Sequence, residues 1–189
     1  MTARLDDNLG KFFDKAFQKI EKQIEFAALL TANAIAEDVK TGVERQLKSD
    51  IDRPTPFTKK AFRVKRANKK TLAATVEIKP VQAKYLKYQI EGGTRRNEPV
   101  VIPRKRAANR YGNLPRGKLN RLRQQGKSFI ADGLVLQKMK RKNRPLAFLA
   151  DEAKYKKRFK FFERARGTAN KVAQKRYSES IKYALSTAR

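Results

Sequence analysis

The feature that most constrains this chain is an amphipathic run near its start that nothing interrupts. Apolar residues recur at Phe13, Phe17 (or Ala16), Ile20, Ile24, Ala28, Ile35, Val39, Val43 and Leu47, mostly three or four positions apart. Asp6 or Asp7 suits an N-cap, and Asp52-Arg53-Pro54-Thr55-Pro56 ends the pattern. A helix from Leu9 to Lys48 would be about 60 Å long at 1.5 Å per residue. That exceeds a compact domain of this size, so the helix is expected to pack on a neighbouring subunit or to bend, with Gly42 as the weak point. Two shorter helices folded back on each other would need a turn signal between residues 11 and 41, and there is none.

Charge divides at the end of this run. Residues 1–52 hold 8 Lys/Arg against 10 Asp/Glu, a net of −2, whereas residues 53–189 hold 39 against 8, a net of +31. Such a chain attracts polyanions and repels its own copies, so nucleic acid is the first partner to consider. Cys and His are both absent. This removes disulfides, thiolate nucleophiles, the commonest zinc ligands and the usual general base at neutral pH. The longest charge-free stretch near the start, Phe26 to Ala36, is far shorter than the roughly 20 apolar residues of a membrane span. The first residues lack a secretion-signal pattern. No cofactor or metal is expected.

The rest of the chain reads as strands, a short helix and basic loops. Residues 62–66 and 72–78 alternate around a turn at 67–70, placing Leu72, Ala74, Val76 and Ile78 on one buried face. Pro80 starts a helix with Val81, Tyr85 and Tyr88 (or Gln89) inward, stopped by Gly92-Gly93. Residues 95–127 carry 11 Lys/Arg and one acid, Glu98, and read as a long basic loop with a strand at Val100-Val101-Ile102 and a possible turn or two of helix at 118–123. Strands at 128–131 and 134–138 flank Asp132-Gly133, a favoured two-residue hairpin turn. Residues 140–144 form a second basic tip before the apolar Leu146-Ala147-Phe148-Leu149. A helix over 157–187 closes the chain, with Phe159, Phe162, Ala165, Ala169, Val172, Tyr177, Ile181 and Leu185 on one face. The expected fold is α+β: a long N-terminal helix (1–52), an antiparallel β region with a short helix and basic loop (53–156) and a C-terminal helix (157–189). The helices would pack on one face of a small sheet within a single domain.

Catalytic patterns are nearly absent. Asp151-Glu152 is the one adjacent acidic pair after residue 52, and it reads as the start of the last helical region rather than as an acid–base or metal pair. Gly112-x-x-x-x-Gly117-Lys118 lacks the final Ser/Thr of a phosphate loop and no strand leads into it. The basic clusters carry the signal: Arg95, Arg96, Arg104, Lys105, Arg106, Arg110, Arg116, Lys118, Arg121, Arg123, Lys140, Arg141, Lys142 and Arg144 are the candidate polyanion contacts. On the last helix, Lys and Arg read equally well as a solvated face. Tyr111 and Phe129 flank the clusters, one for stacking and the other more suited to the core. The acidic-to-neutral first helix is assigned to protein contact through Phe13, Phe17, Ile20, Ile24, Ile35 and Val39.

Pro54-Thr55-Pro56-Phe57-Thr58, the hairpin after it, and Ala83-Lys84-Tyr85-Leu86-Lys87-Tyr88-Gln89-Ile90-Glu91-Gly92-Gly93-Thr94-Arg95 together resemble tailed-phage neck and tail-completion proteins, above all the minor tail protein Z type of the lambda-like siphophages. In that family a Y-x-x-x-x-E-x-G-T stretch follows the hairpin, and Tyr85, Tyr88, Glu91, Gly93 and Thr94 stand in comparable places. The motifs cover about residues 54–95. The resemblance implies a non-enzymatic virion component at the head-proximal end of a tail, assembled in the host cytoplasm. It also implies a homo-oligomeric ring, with a hexamer as one reading. Tail terminator, tape-measure and connector proteins would be its neighbours, and double-stranded DNA would pass through its lumen. The basic insertion at 95–127 is longer than the family pattern requires. A ribosomal or other ribonucleoprotein component, binding RNA nonspecifically through the same basic arms, is the alternative. A nuclease is disfavoured by the scattered acids.

Overall fold

The computed structural model describes residues 6–96 and 99–187 and divides into two compact units, each built from separated stretches of chain. The fold class is α+β. Helix α1 runs from Asp6 to Asp50 without interruption. The N-cap assigned to Asp6 or Asp7 rests on side chains outside those described. Among the described residues, no helix is long and apolar enough to cross a membrane.

The first unit contains α1 as far as Arg45, residues 62–79, and the chain from Phe161 on. Strands β1 (Phe62–Lys65) and β2 (Thr75–Ile78) pair antiparallel with Phe62 opposite Ile78 and Lys65 opposite Thr75. The expected hairpin forms, but its second strand starts later: Leu72 lies outside it, 47% exposed, because Asn68 closes a separate small turn with Thr71. Helix α5 (Phe161–Ser186) runs antiparallel to α1. Contacts step along both helices in opposite directions: Gly42 meets Thr168, Asp38 meets Arg176, and Phe26 meets Tyr183. Gly42 is therefore not a bend. Its missing side chain lets α5 come close, since a Cβ there would lie 2.6 Å from Thr168 Oγ1. Buried Ala27, Ala36, Val39 and Val43 supply the α1 side of the core. On the α5 side the buried residues are Phe161, Ser180 and Ala184, whereas Phe162, Tyr177 and Leu185 of the expected face are more than half exposed. The helix begins at Phe161 instead of 157; Ala165, Ala169, Val172 and Ile181 of the expected face are half-buried, and Phe159, which falls in the second unit, is fully buried there.

The second unit contains residues 46–61 and 80–160. The proline-rich exit folds into the one-turn helix α2 (Pro56–Lys59). Thr55 caps it, its Oγ1 accepting from the Thr58 amide at 3.1 Å, and Pro56 occupies the first turn where no amide is needed. Helix α3 (Pro80–Glu91) buries Gln82, Leu86 and Ile90. Val81 is 60% exposed, so the inward face is one position off that expected. Polar Gln82 escapes a hydropathy reading because its Nε2 donates to Phe57 O inside the unit. Gly92, at φ +77, ends α3, and a Cβ there would approach Tyr155 O to 3.2 Å. Strand β3 (Gly93–Arg95) then pairs with β8 (Ala153–Tyr155). The remaining sheet has the order β4-β7-β6-β5, all antiparallel, from β4 (Val100–Pro103), β5 (Ser128–Ala131), β6 (Leu134–Gln137) and β7 (Arg144–Ala150). Asp132 and Gly133 both take positive φ, as a two-residue turn between β5 and β6 demands.

In the first unit the two long helices share the small antiparallel β1–β2 ladder, in keeping with the expected α+β fold, while the four-stranded sheet lies in the second unit. One expectation needs correction. Asp151-Glu152 does not start a helix but sits between β7 and β8, where Glu152 pairs with Arg96 and Lys154.

Candidate nucleic-acid interface

The stretch read as a long basic loop is folded. After β4, Arg104 accepts at its carbonyl from the amides of Ala107 and Ala108 at 2.8 and 3.0 Å, forming a tight turn. Asn109 builds the next turn, its Oδ1 accepting from the Tyr111 and Asn113 amides at 2.9 and 3.1 Å. Helix α4 (Lys118–Gln124) follows, with left-handed Gly117 at its N-cap. These pieces hold together because Ala107, Leu122 and Leu146 form a small core of their own, joined by Leu114 and Leu119. Apolar residues in a highly charged segment thus supply its anchors, and the cations are left outside.

The candidate residues fall into several places, all in the second unit. The densest joins two clusters that are far apart in sequence. Strand β4 pairs with β7 so that Pro103 faces Ala147 and the Arg104 amide donates to Leu146 O at 2.9 Å. That register sets Arg104, Lys105 and Arg106, just after β4, beside Arg144 at the start of β7. Together with Pro145 they line a notch of about 700 Å³. The Arg144 guanidinium donates to Arg106 O at 3.1 Å, tying the two clusters at the backbone. Arg104 lies over the exposed Phe148 ring, 5.3 Å from its centroid. Lys140, Arg141 and Lys142 are exposed on the adjoining tip between β6 and β7.

Arg95 and Arg96 are elsewhere. They line an open groove of about 930 Å³ together with Thr94 and, from α3, Val81, Lys84, Tyr85, Lys87 and Tyr88. Arg96 is partly neutralised by Glu152 at 3.4 Å. Lys84 and Lys87 escaped the sequence reading because α3 was read for its apolar face; their spacing of three along a helix is the signal that places them together. Arg123 borders a third, mainly apolar groove of about 460 Å³, against Val101, Leu119, Phe129 and Ile130. Arg110 stacks on Tyr111 at 4.8 Å, and Lys138, which opens the last basic cluster, lies 6.0 Å from the Phe129 ring. Arg116 and Arg121 are exposed and Lys118 half-buried, without joining any of these concavities.

Electrostatics separates these residues from the cations of the first unit. There, carboxylates answer the basic groups: Arg176 binds Asp38 at 2.6 and 2.9 Å, and Glu77 pairs with Lys65 and Arg63. The Arg176 hydrogen bonds hold the Asp38 carboxyl below its usual range, and those from Lys65 and then Arg63 do the same for Glu77. Around the notch, by contrast, no described carboxylate lies within ion-pairing distance of Arg104, Lys105, Arg106 or Arg144. The residues of the second unit number 27 Lys/Arg against 7 Asp/Glu, so it carries +20 of the chain's +29. Such an arrangement can neutralise phosphates one by one.

The residues assigned to protein contact also separate. Phe13, Phe17, Ile20 and Ile24 are each more than half exposed. Val39 is already buried within the chain, which removes it from any partner-facing surface, and Ile35 is half-buried among Ala32, Ala36, Val39 and Val76. Comparison with protein-family models returns no match, nor does comparison with curated proteins or with solved structures, so function is read from this geometry and from the resemblance over residues 54–95.

Proposed function

We propose that this chain is a structural, polyanion-binding protein that completes the head-proximal end of a phage tail, its second unit holding double-stranded DNA through nonspecific phosphate contacts. The observation that carries the polyanion part is the notch of Arg104, Lys105, Arg106 and Arg144, four cations converging from two strand ends with no carboxylate in reach among the described residues. Its preorganisation favours binding: the residues sit at strand ends over a packed core, so little chain must be ordered when a phosphate arrives. The assignment to a tail rests on the resemblance of residues 54–95 and on the charge division of the chain.

Two experiments test the two parts. Binding to a duplex of random sequence is expected to weaken steeply with salt. Reversing Arg104, Lys105 and Arg106 together to Glu is expected to lower the slope of log K against log salt by about 3, near 0.9 per lost phosphate contact. Reversing Lys11, Lys15 and Lys19 is expected to change it far less; equal losses would defeat the special role of the notch. For the tail, particles made without the protein are expected to show assembled tails that do not yield infectious virions. Normal head joining would refute that assignment, and tighter retention on single-stranded RNA than on duplex DNA would favour a ribonucleoprotein role.

A further inference from the structure

Between α1 and α5 the first unit carries a pocket of about 290 Å³. Asp38, Thr41 and Arg45 line it from α1, and Arg164, Thr168 and Lys171 from α5. Each set is spaced by intervals of three and four, so it occupies one flank of its helix, and antiparallel packing sets the two flanks side by side. Charge in this pocket is one-sided. Asp38 is the only acid among the described lining residues, and Arg176 already donates to both of its oxygens, at 2.6 and 2.9 Å. Arg45, Arg164 and Lys171 have no ion-pair partner among the described residues. Thr168 adds a hydroxyl to the wall, whereas that of Thr41 donates to Glu37 O at 3.0 Å.

Gly167 adds a second observation. It sits in the interior of α5, where glycine weakens a helix. Unlike Gly42, it answers no packing need of the chain, since a Cβ there would meet nothing within 4 Å. It borders the pocket, so the atoms it lacks keep that wall open to something outside the chain. We infer that the pocket binds a small anion bearing two linked phosphoryl groups. Three unpaired cations around one small space call for concentrated negative charge. A terminal phosphoryl group brings about −1.5 to −2 at neutral pH with three acceptor oxygens. A carboxylate, or one diester phosphate of a nucleic acid, brings a single charge. The guanidinium groups of Arg45 and Arg164 are of the kind that meets phosphate oxygens in pairs. The space equals that of about ten waters at roughly 30 Å³ each, enough for a diphosphate with some of its hydration.

The inference does not rest on the proposed DNA contact, whose cations belong to the second unit. Calorimetric titration of the full chain with inorganic pyrophosphate, in about 0.15 M salt to screen distant charge, is expected to show one saturable site per chain. Arg45→Gln and Arg164→Gln are each expected to weaken it about tenfold, the loss of one charge-assisted contact. Gly167→Leu keeps the charge and favours the helix, so helix content by circular dichroism is expected to hold. By filling the pocket it is still expected to weaken pyrophosphate about tenfold. Replacing Arg104, Lys105 and Arg106 together with Gln is expected to weaken duplex DNA and leave pyrophosphate affinity unchanged. The two pocket arginine variants are expected to do the reverse, so the two readings fail separately. Three results overturn the proposal: no saturable site, affinity indifferent to Gly167→Leu, or a loss as large with the Arg104 triple as with Arg45→Gln. The last two would mean diffuse attraction to a basic chain.

Discussion

Asn33 grips the backbone of Ala67 from both sides: its Oδ1 accepts from the Ala67 amide at 2.8 Å, and its Nδ2 donates to the Ala67 carbonyl at 3.4 Å. Ala67 is buried at the end of β1, so these two bonds satisfy backbone groups that no strand pairs with. An amide is the one side-chain group that offers a donor and an acceptor side by side in this way.

Replacing Asn33 with Ala leaves both Ala67 groups without their partner, at a cost of about 1–3 kcal/mol. Asn33→Asp keeps the acceptor alone and is expected to lie between wild type and Asn33→Ala. Urea unfolding followed by circular dichroism measures both. A loss below about 0.5 kcal/mol for the alanine variant would mean that water replaces the clasp.

The Asp38–Arg176 pair makes a pH prediction. Folding lowers the Asp38 pKa below its ordinary 3.8, so the folded state binds that proton less readily than the unfolded state. The pair's stabilisation is then present in full above the ordinary value and is lost as pH falls through the lower folded value. Asp38→Asn is expected to be less stable than wild type at pH 7 and to show a shallower acid decline below about pH 4. Parallel acid curves for the two proteins would contradict this.

Gly42→Ala sets two effects against each other. Alanine improves helix propensity by about 1 kcal/mol, while its Cβ must displace the β-branched Thr168, an overpacking cost of about 1–3 kcal/mol. A net loss is expected. Thr168→Ala removes the obstacle, so in that background Gly42→Ala is expected to turn neutral or stabilising, and a double-mutant cycle reads the coupling. Additive effects would show that the two helices can part without penalty.

Leu146 is fully buried in the small core beneath the basic segment. Leu146→Ala is expected to cost about 2–5 kcal/mol and, at temperatures where the second unit loosens, to weaken DNA binding although no cation is removed. Retained affinity in a destabilised variant would show that the cations act without their scaffold.

Regular, local features were legible in the chain. The unbroken run of α1, the Asp132-Gly133 turn and the β4 segment at Val100-Val101-Ile102 appear where apolar spacing and turn chemistry put them. What spacing misjudged was the inward face wherever a polar residue packs in: Gln82 turns α3 and Ser180 belongs to the buried side of α5. Hydropathy scores such residues as exposed, yet hydrogen bonds within the fold can satisfy them. Of the candidate contacts, the sequence placed Arg104, Lys105 and Arg106 together by adjacency alone. Their meeting with Arg144 depends on strand pairing across some forty residues, which no local pattern records. The helical turns at 118–123 were legible, but the packing of the whole stretch 107–127 was hidden for a related reason: three scattered leucines, Leu114, Leu119 and Leu122, are too few to show a period, but they are enough to close a small core.

The β4–β7 pairing makes the notch a device of fixed gauge. Its cations are mounted on the ends of two strands whose separation, about 4.8 Å, is that of any sheet, so their spacing follows backbone geometry and not side-chain wandering. Insertion of one uncharged residue between Arg144 and Leu146 would leave the net charge unchanged yet turn Arg144 to the opposite side of the sheet. Selection on this surface would then act on chain length in β7 as strictly as on charge, and a lineage could exchange arginine for lysine here more easily than it could add or lose one residue.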